Sequence, residues 1–382
     1  MAKIPNSLLL ALSMIMLVCL SMFSPAFAGR LRLARTLQAH LHQRQLRGRE
    51  RKLIHVADRR DSHPSRIAET KTISDNRRKQ GLEDPIPAPI AYNNGPVMSG
   101  PTLNIYIIYY GAWTPKKSGQ PIIENFITAL SLSGADSQGV AGDPKVAYWW
   151  ATNSKYYSQA DDGSINGTVS QEVRFVKATT DKGSVGKKWK TATVFNAVKT
   201  KIGPKKPFPY DPYGIYLILP SKDIKIEGFC VDYCGWHSLN YIKLNNTFKP
   251  VVYAIVGHHA QCPDKCAVHH YSPNGNPPID AMVSSIAHEV AEAASDPDTT
   301  TGWFDVDVQE NADKCAYKFG DYLITQDAKG NDFKYNLVGL NGKKYMVQQN
   351  WDLDTGTCVM QTIPRSTTGG DTGGTTGGTT GP

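Results

Sequence analysis

Apart from one stretch at residues 8–23, the 382-residue chain contains no long apolar run. That stretch is 16 residues long, short of the roughly 20 that a spanning helix needs, so a membrane anchor is not expected. The sequence also lacks a Gly-x-Ser-x-Gly elbow, a P-loop and a dinucleotide fingerprint, the usual signatures of esterase, nucleotide and NAD chemistry. Nor does the folded part carry an excess of positive charge. The formal net charge of +8 is more than accounted for by residues 29–80, where 15 Lys/Arg face 5 Asp/Glu. Without that stretch and Lys3 the remainder is near −3, which excludes a nucleic-acid signature. At 40% hydrophobic, 9% aromatic and 20% charged residues, the chain is neither disordered throughout, nor collagen-like, nor a multi-span membrane protein.

What is present at the N-terminus is Lys3, the apolar stretch and then Ala26-Phe27-Ala28, the pattern of a signal peptide cleaved after residue 28. Residues 29–80 read as a basic, disordered leader or pro-segment, with trimming expected at Arg59-Arg60 or Arg77-Arg78. Residues 366–382 hold seven Gly and seven Thr and read as a flexible tail. That leaves residues 81–365 for a globular domain, enough for one large core.

Cys19 departs with the signal segment, leaving Cys230, Cys234, Cys262, Cys266, Cys315 and Cys358. On a secretory route an even count predicts three disulfides rather than metal binding by the two Cys-x-x-x-Cys units. Of the fifteen pairings six cysteines allow, we expect each Cys-x-x-x-Cys unit to bridge locally and Cys315 to meet Cys358. Asn166 and Asn245 head N-x-Thr sequons, glycosylation sites on that same route.

The central region alternates strand and helix signals. Apolar runs at 103–110, 214–219 and 251–256 read as strands buried on both faces, and helical patterns fall at 122–132, 146–157, 191–201 and 282–295. Short strands and turns follow over 317–358, with Lys329-Gly330-Asn331 and Asn341-Gly342 as turn signals. The expected fold is a single α/β (α+β) layered domain with a mixed sheet, stabilised by disulfides. Tyr109, Tyr110, Trp113, Tyr148, Trp149, Trp150, Tyr156 and Tyr157 are expected mostly in its core. The cluster of His258-His259, Cys262, Cys266 and His269-His270 is expected to be a disulfide-stapled loop with solvated histidines.

The most specific local motif is His288-Glu289-Val-Ala-Glu292. It resembles the His-Glu-x-x-His helix of zinc peptidases, with Glu in place of the second His. Residues four apart stack on one helical face, so His288 and Glu292 can converge on one ion, and Glu289 becomes the water-activating base. Glu310 and Asp313 follow at the spacing where gluzincin peptidases place a third ligand and an Asp behind the first His. The mapping makes His288, Glu292 and Glu310 ligands to zinc or another divalent metal, with Asp313 behind His288. On a helical wheel Met282, Val283, Ile286, Val290 and Ala294 form the apolar face. His288 and Glu292 lie opposite, among Ala281, Ser284, Ser285 and Ser295, a composition that suits the floor of a cleft. The plain alternative is a structural His/Glu pair.

Several blocks together resemble the plant EXORDIUM / phosphate-induced protein 1 family. They are Gly95-Pro-Val-Met-Ser-Gly100 with the strand into Tyr110-Gly-Ala-Trp113; Gly228-Phe-Cys-Val-Asp-Tyr-Cys-Gly-Trp-His237; Gln261-Cys-Pro263 through Cys266; Ser272-Pro-Asn-Gly275 with Asp280-Ala-Met282; and residues 336–345 with Trp351 and Cys358. The chain departs from the family pattern in its basic leader, its tail and Ala267-Val-His-His. The resemblance implies a secreted apoplastic or cell-wall protein linked to cell expansion and growth, with an extracellular or wall component as partner. It supplies no enzymatic activity, so a secreted metallohydrolase stands as the alternative.

Overall fold

The computed structural model describes residues 88–361 except 115–118, 267–271 and 327–329, all within the larger of two compact units, His55–Pro382. The signal segment, the basic leader, the Gly/Thr tail, Lys329 and His269-His270 lie outside the described residues.

A five-stranded sheet is the frame. Its strands are β1 (Leu103–Tyr110), β2 (Val173–Asp181), β3 (Gly214–Pro220), β4 (Gly235–Leu244) and β5 (Thr247–Val256), in the order β2-β1-β3-β5-β4. The first four in that order run parallel, and β4 pairs antiparallel with β5, so the sheet is mixed as expected. The β4–β5 hairpin turns on Asn245-Asn246, both at positive φ (49° and 62°), the paired left-handed conformation that matches the strands' twist. β1 and β3 are buried along nearly their whole length, as is the second half of β5. That is why they read as continuous apolar runs.

Alternation along the strands divides the core in two. Ile105, Ile107, Ile215, Leu217 and Ala254 face α1 (Gln120–Ala129), α2 (Val146–Ala151) and α4 (Pro277–Ser295). Tyr106, Ile108, Tyr216, Ile218 and Tyr253 face α3 (Thr191–Lys199) and the cysteine-rich segments. The helical pattern expected over 146–157 is cut short. α2 ends at Ala151, a 3-10 turn covers Thr152–Lys155, and Tyr157 opens a short strand. The indole N–H groups of Trp149 and Trp150 are spent on the carbonyls of Gln348 and Ser170, fixing both rings in the core.

α4 carries the candidate site. Prolines at its first turn need no N–H partner there, and Asp280 accepts hydrogen bonds from Ser272, Asn274 and Asn276 at the same end. From Ile279 to Ser295 every side chain except Ser285 is buried. The small-residue face is therefore not an open cleft floor: β4 and the chain around residues 310–315 and 348 cover it.

Candidate metal centre

Six ionisable side chains meet on that covered face. α4 supplies His288, Glu289 and Glu292, β4 supplies His237, and the segment leading into the 3-10 turn Asp313–Cys315 supplies Glu310 and Asp313. His288 Nε2 lies 3.0 Å from Glu292 Oε1 and 3.5 Å from Asp313 Oδ1. His237 Nδ1 lies 3.6 Å from both Glu289 Oε2 and Glu292 Oε2, and its Nε2 lies 3.5 Å from Glu310 Oε1. Two ligand-competent groups result, His237/Glu289/Glu292 and His288/Glu292/Asp313, each with donor atoms within 4.8 Å of one another. Glu310 is placed against His237, and Asp313 faces the His288 imidazole directly.

The backbone makes room for this packing. His237 registers opposite Ala254 on β5, the next position but one is Gly235, and a Cβ at Gly235 would lie 2.6 Å from Glu289 Oε1. Each imidazole is also oriented from behind. His237 Nε2 lies 3.0 Å from the Asp296 carbonyl, which accepts only from an N–H, so Nδ1 is left to face the carboxylates. His288 Nδ1 lies 3.3 Å from Gln348 Oε1, and Gln348 donates its amide to the Ala312 carbonyl at 2.8 Å. That locks the amide oxygen toward His288 and turns Nε2 to Glu292 and Asp313.

Burial alone would lower the pKa of both imidazoles, yet the carboxylates outweigh it. His237 is raised well above its ordinary value by Glu310, Glu289 and Glu292, and His288 by Glu292, Asp313 and Glu289. Glu292 is itself raised to about 7 by burial and by the Asp313 charge, against the pull of His288. Both imidazoles therefore hold their protons more tightly than a free histidine does. The same electron-rich pocket can hold a cation, and its place at the C-terminal end of α4, where the helix dipole is negative, favours positive charge further.

The family described as "Phosphate-induced protein 1 conserved region" matches residues 90–361. The chain belongs to this phosphate-induced protein 1 (EXORDIUM) family. It is 30% identical over 297 residues to "Protein EXORDIUM-like 5" of Arabidopsis thaliana, covering 70% of this chain and 77% of the relative. It is 26% identical to "Protein PHOSPHATE-INDUCED 1" of Nicotiana tabacum (72% and 90% covered) and 26% identical to "Protein EXORDIUM" of Arabidopsis thaliana (70% and 88%). No solved structure matches.

In this EXORDIUM-family domain the cysteines correct the expected pairing. Cys230 pairs with Cys262 and Cys234 with Cys266, each across a separation of 32 residues, while Cys315 pairs with Cys358 as expected. The local pairs fail because Cys230 and Cys234 flank a tight turn pinned by the Cys230 N–H to Tyr233 carbonyl bond. That turn lies side by side with the Cys262–Cys266 turn, so the facing sulfurs belong to different segments. His259 is fully buried rather than solvated, beside Cys234 and Cys266. Asn166 and Asn245 are both exposed. Of the named aromatics, Tyr109, Tyr110, Trp113, Trp149, Trp150 and Tyr156 are in the core, and Tyr148 and Tyr157 are half-buried.

An open cleft of about 700 Å³ lies at the other end of α4, lined by Asn274, Gln326, Asn331, Phe333 and Lys343 among others. Eleven residues of helix, about 16 Å, separate Pro277 on its rim from His288. Among the described residues, no helix is long and apolar enough to cross a membrane. The residue that sequence reading missed is His237. It ends the Gly228–His237 block that carries two of the cysteines, a conjunction visible in the sequence, although its partners lie far along the chain.

Proposed function

We propose that this is a secreted, disulfide-bonded protein of the apoplast or cell wall that acts, in the EXORDIUM manner, in the control of cell expansion and growth. The observation that carries the reading is family membership across nearly the whole folded domain. The six cysteines pair without remainder, which suits an oxidising compartment, and the N-terminal segment has the form of a signal peptide. Residues 29–80 then act as a removable leader, and both sequons carry glycans. The test is expression of the full chain in plant cells with mass spectrometry of the extracellular fluid. Material beginning at or beyond Gly29, with no reactive thiols, is expected; intracellular protein retaining Met1 overturns the reading. Loss of the protein should reduce cell expansion.

A second reading, a secreted metallohydrolase, is favoured by one observation: the His288 imidazole is oriented by Gln348 and turned onto carboxylates at ligand spacing. There His288, Glu292 and Glu310 hold zinc, manganese or calcium, Asp313 supports His288, and Glu289 activates water. Burial of the cluster and the distance of the open cleft weigh for the growth-regulator reading. Under the hydrolase reading Glu289→Gln retains metal and abolishes hydrolysis, while His288→Ala loses both. A metal-loaded protein whose Glu289→Gln form is unchanged in every hydrolytic assay that the parent passes eliminates it.

A further inference from the structure

The hydrolase reading uses a single ion and leaves His237 without a role. Yet His237 is as buried as His288 and is presented in the same way, with one ring nitrogen tied to a protein oxygen and the other aimed at two carboxylate oxygens. Glu292 is common to both arrangements and divides its oxygens between them: Oε1 faces His288 and Oε2 faces His237. We propose that Glu292 bridges two divalent cations, one held with His237 and Glu289 and the other with His288 and Asp313.

Spacing is the first argument. Bonds of about 2.0–2.2 Å to a zinc-like ion set tetrahedral ligand-to-ligand edges of about 3.3–3.6 Å. The two edges from His237 Nδ1 are 3.6 Å each and the edge from His288 Nε2 to Asp313 is 3.5 Å, within or at the limit of that range and longer than hydrogen bonds. The His288–Glu292 edge, at 3.0 Å, is at direct-contact length and has to open by a few tenths of an ångström to admit an ion.

Glu289 is the second argument. It is 2% exposed, and its Oε2 meets no hydrogen-bond donor among the described residues. A buried carboxylate oxygen in that state costs several kcal/mol in general, whereas a cation between it and His237 Nδ1 satisfies both. Gly235 fits the same purpose, because any side chain there would displace Glu289.

Donor chemistry is the third. Glu310 lies beside the His237 ring on the Nε2 side, outside both ligand sets. Mixed imidazole and carboxylate donors suit zinc or manganese.

The proposal goes beyond both functional readings and does not depend on turnover. The full-length protein, stripped with chelator and dialysed against buffered zinc, should plateau at two zinc ions per chain by elemental analysis. Manganese at two equivalents should show a spin-coupled spectrum in place of the six lines of isolated ions. His237→Gln and His288→Gln should each fall to one ion, and Glu292→Gln should lose the coupling. Gln348→Leu should weaken only the His288 ion, roughly 10- to 100-fold. A wild-type plateau at one ion or none overturns the proposal whatever the variants do, as does full occupancy in a folded His237→Gln protein. Glu289→Gln separates this proposal from the hydrolase reading. Here it drops occupancy to one ion, whereas a base that is not a ligand leaves metal content untouched.

Discussion

The three disulfides should differ in what they contribute, and ring size sets the order. In the chain-entropy account, a bridge stabilises by closing a loop in the unfolded state. Cys315–Cys358 spans 43 residues and shares its loop with no other bridge, which gives about 4 kcal/mol. Cys230–Cys262 and Cys234–Cys266 span 32 residues each and lie side by side, so either one alone keeps most of the loop closed. Removing one opens only the small ring between them, roughly eight residues long, for about 2.5 kcal/mol, and removing both costs about 6. Paired alanine substitutions at each bridge avoid stray thiols, and urea unfolding followed by circular dichroism reads each loss from the midpoint at constant slope. A Cys315/Cys358 variant that loses less than either single variant of the other two bridges would refute the ring-size reasoning. A double loss equal to twice the single loss would do the same.

Gly235→Ala should destabilise by about 1–3 kcal/mol through overpacking, since its Cβ would sit 2.6 Å from Glu289 Oε1 and 2.8 Å from the Ile255 carbonyl; thermal unfolding checks it, and an unchanged midpoint speaks against the close packing of β4 on α4. Burial and the nearby Lys222 charge push His258 down to about 4, while the unfolded imidazole titrates near 6.5. Its contribution to stability is therefore whole above about pH 6.5 and is lost as the pH falls toward 4, a slope that His258→Gln should flatten in a melting series. In a secretory host, Asn166→Gln and Asn245→Gln should each remove one glycan's mass; unchanged masses would show that these sequons carry no glycan.

The central strands were legible because they are covered on both faces, so Leu103–Tyr110, 214–219 and 251–256 announce themselves by composition. The edge strands were not. Val173–Asp181 buries fully only its two ends, and Gly235–Leu244 alternates loosely with several polar positions, so neither gives a clean period. In the candidate site, the His288–Glu292 relation was readable because it is local to one helix turn. His237 reaches the same place only because β4 lies against α4, more than fifty residues along the chain, a contact that no local pattern encodes. The wheel separated the two faces of α4 but gave no sign that the polar one would be covered. The cysteine pairing failed on the same ground, as near neighbours in sequence were preferred to neighbours across two turns.

The side-by-side placement of the two Cys-x-x-x-Cys segments sets an order of events for a newly made chain. Cys230 and Cys234 emerge together, ahead of their true partners by 32 residues, or roughly 2–6 s at ordinary synthesis rates of about 5–20 residues per second. Disulfide formation begins on that timescale, so the first bond open to the chain is a local one that the finished protein does not contain. Its correction needs a free thiolate, which Cys262 or Cys266 supplies once it emerges: attack on one sulfur of the Cys230–Cys234 bond forms a native bridge and releases the other sulfur as a thiolate for its own partner. An oxidant faster than the ribosome would thus trap this protein early, and its yield should rise with an added disulfide isomerase.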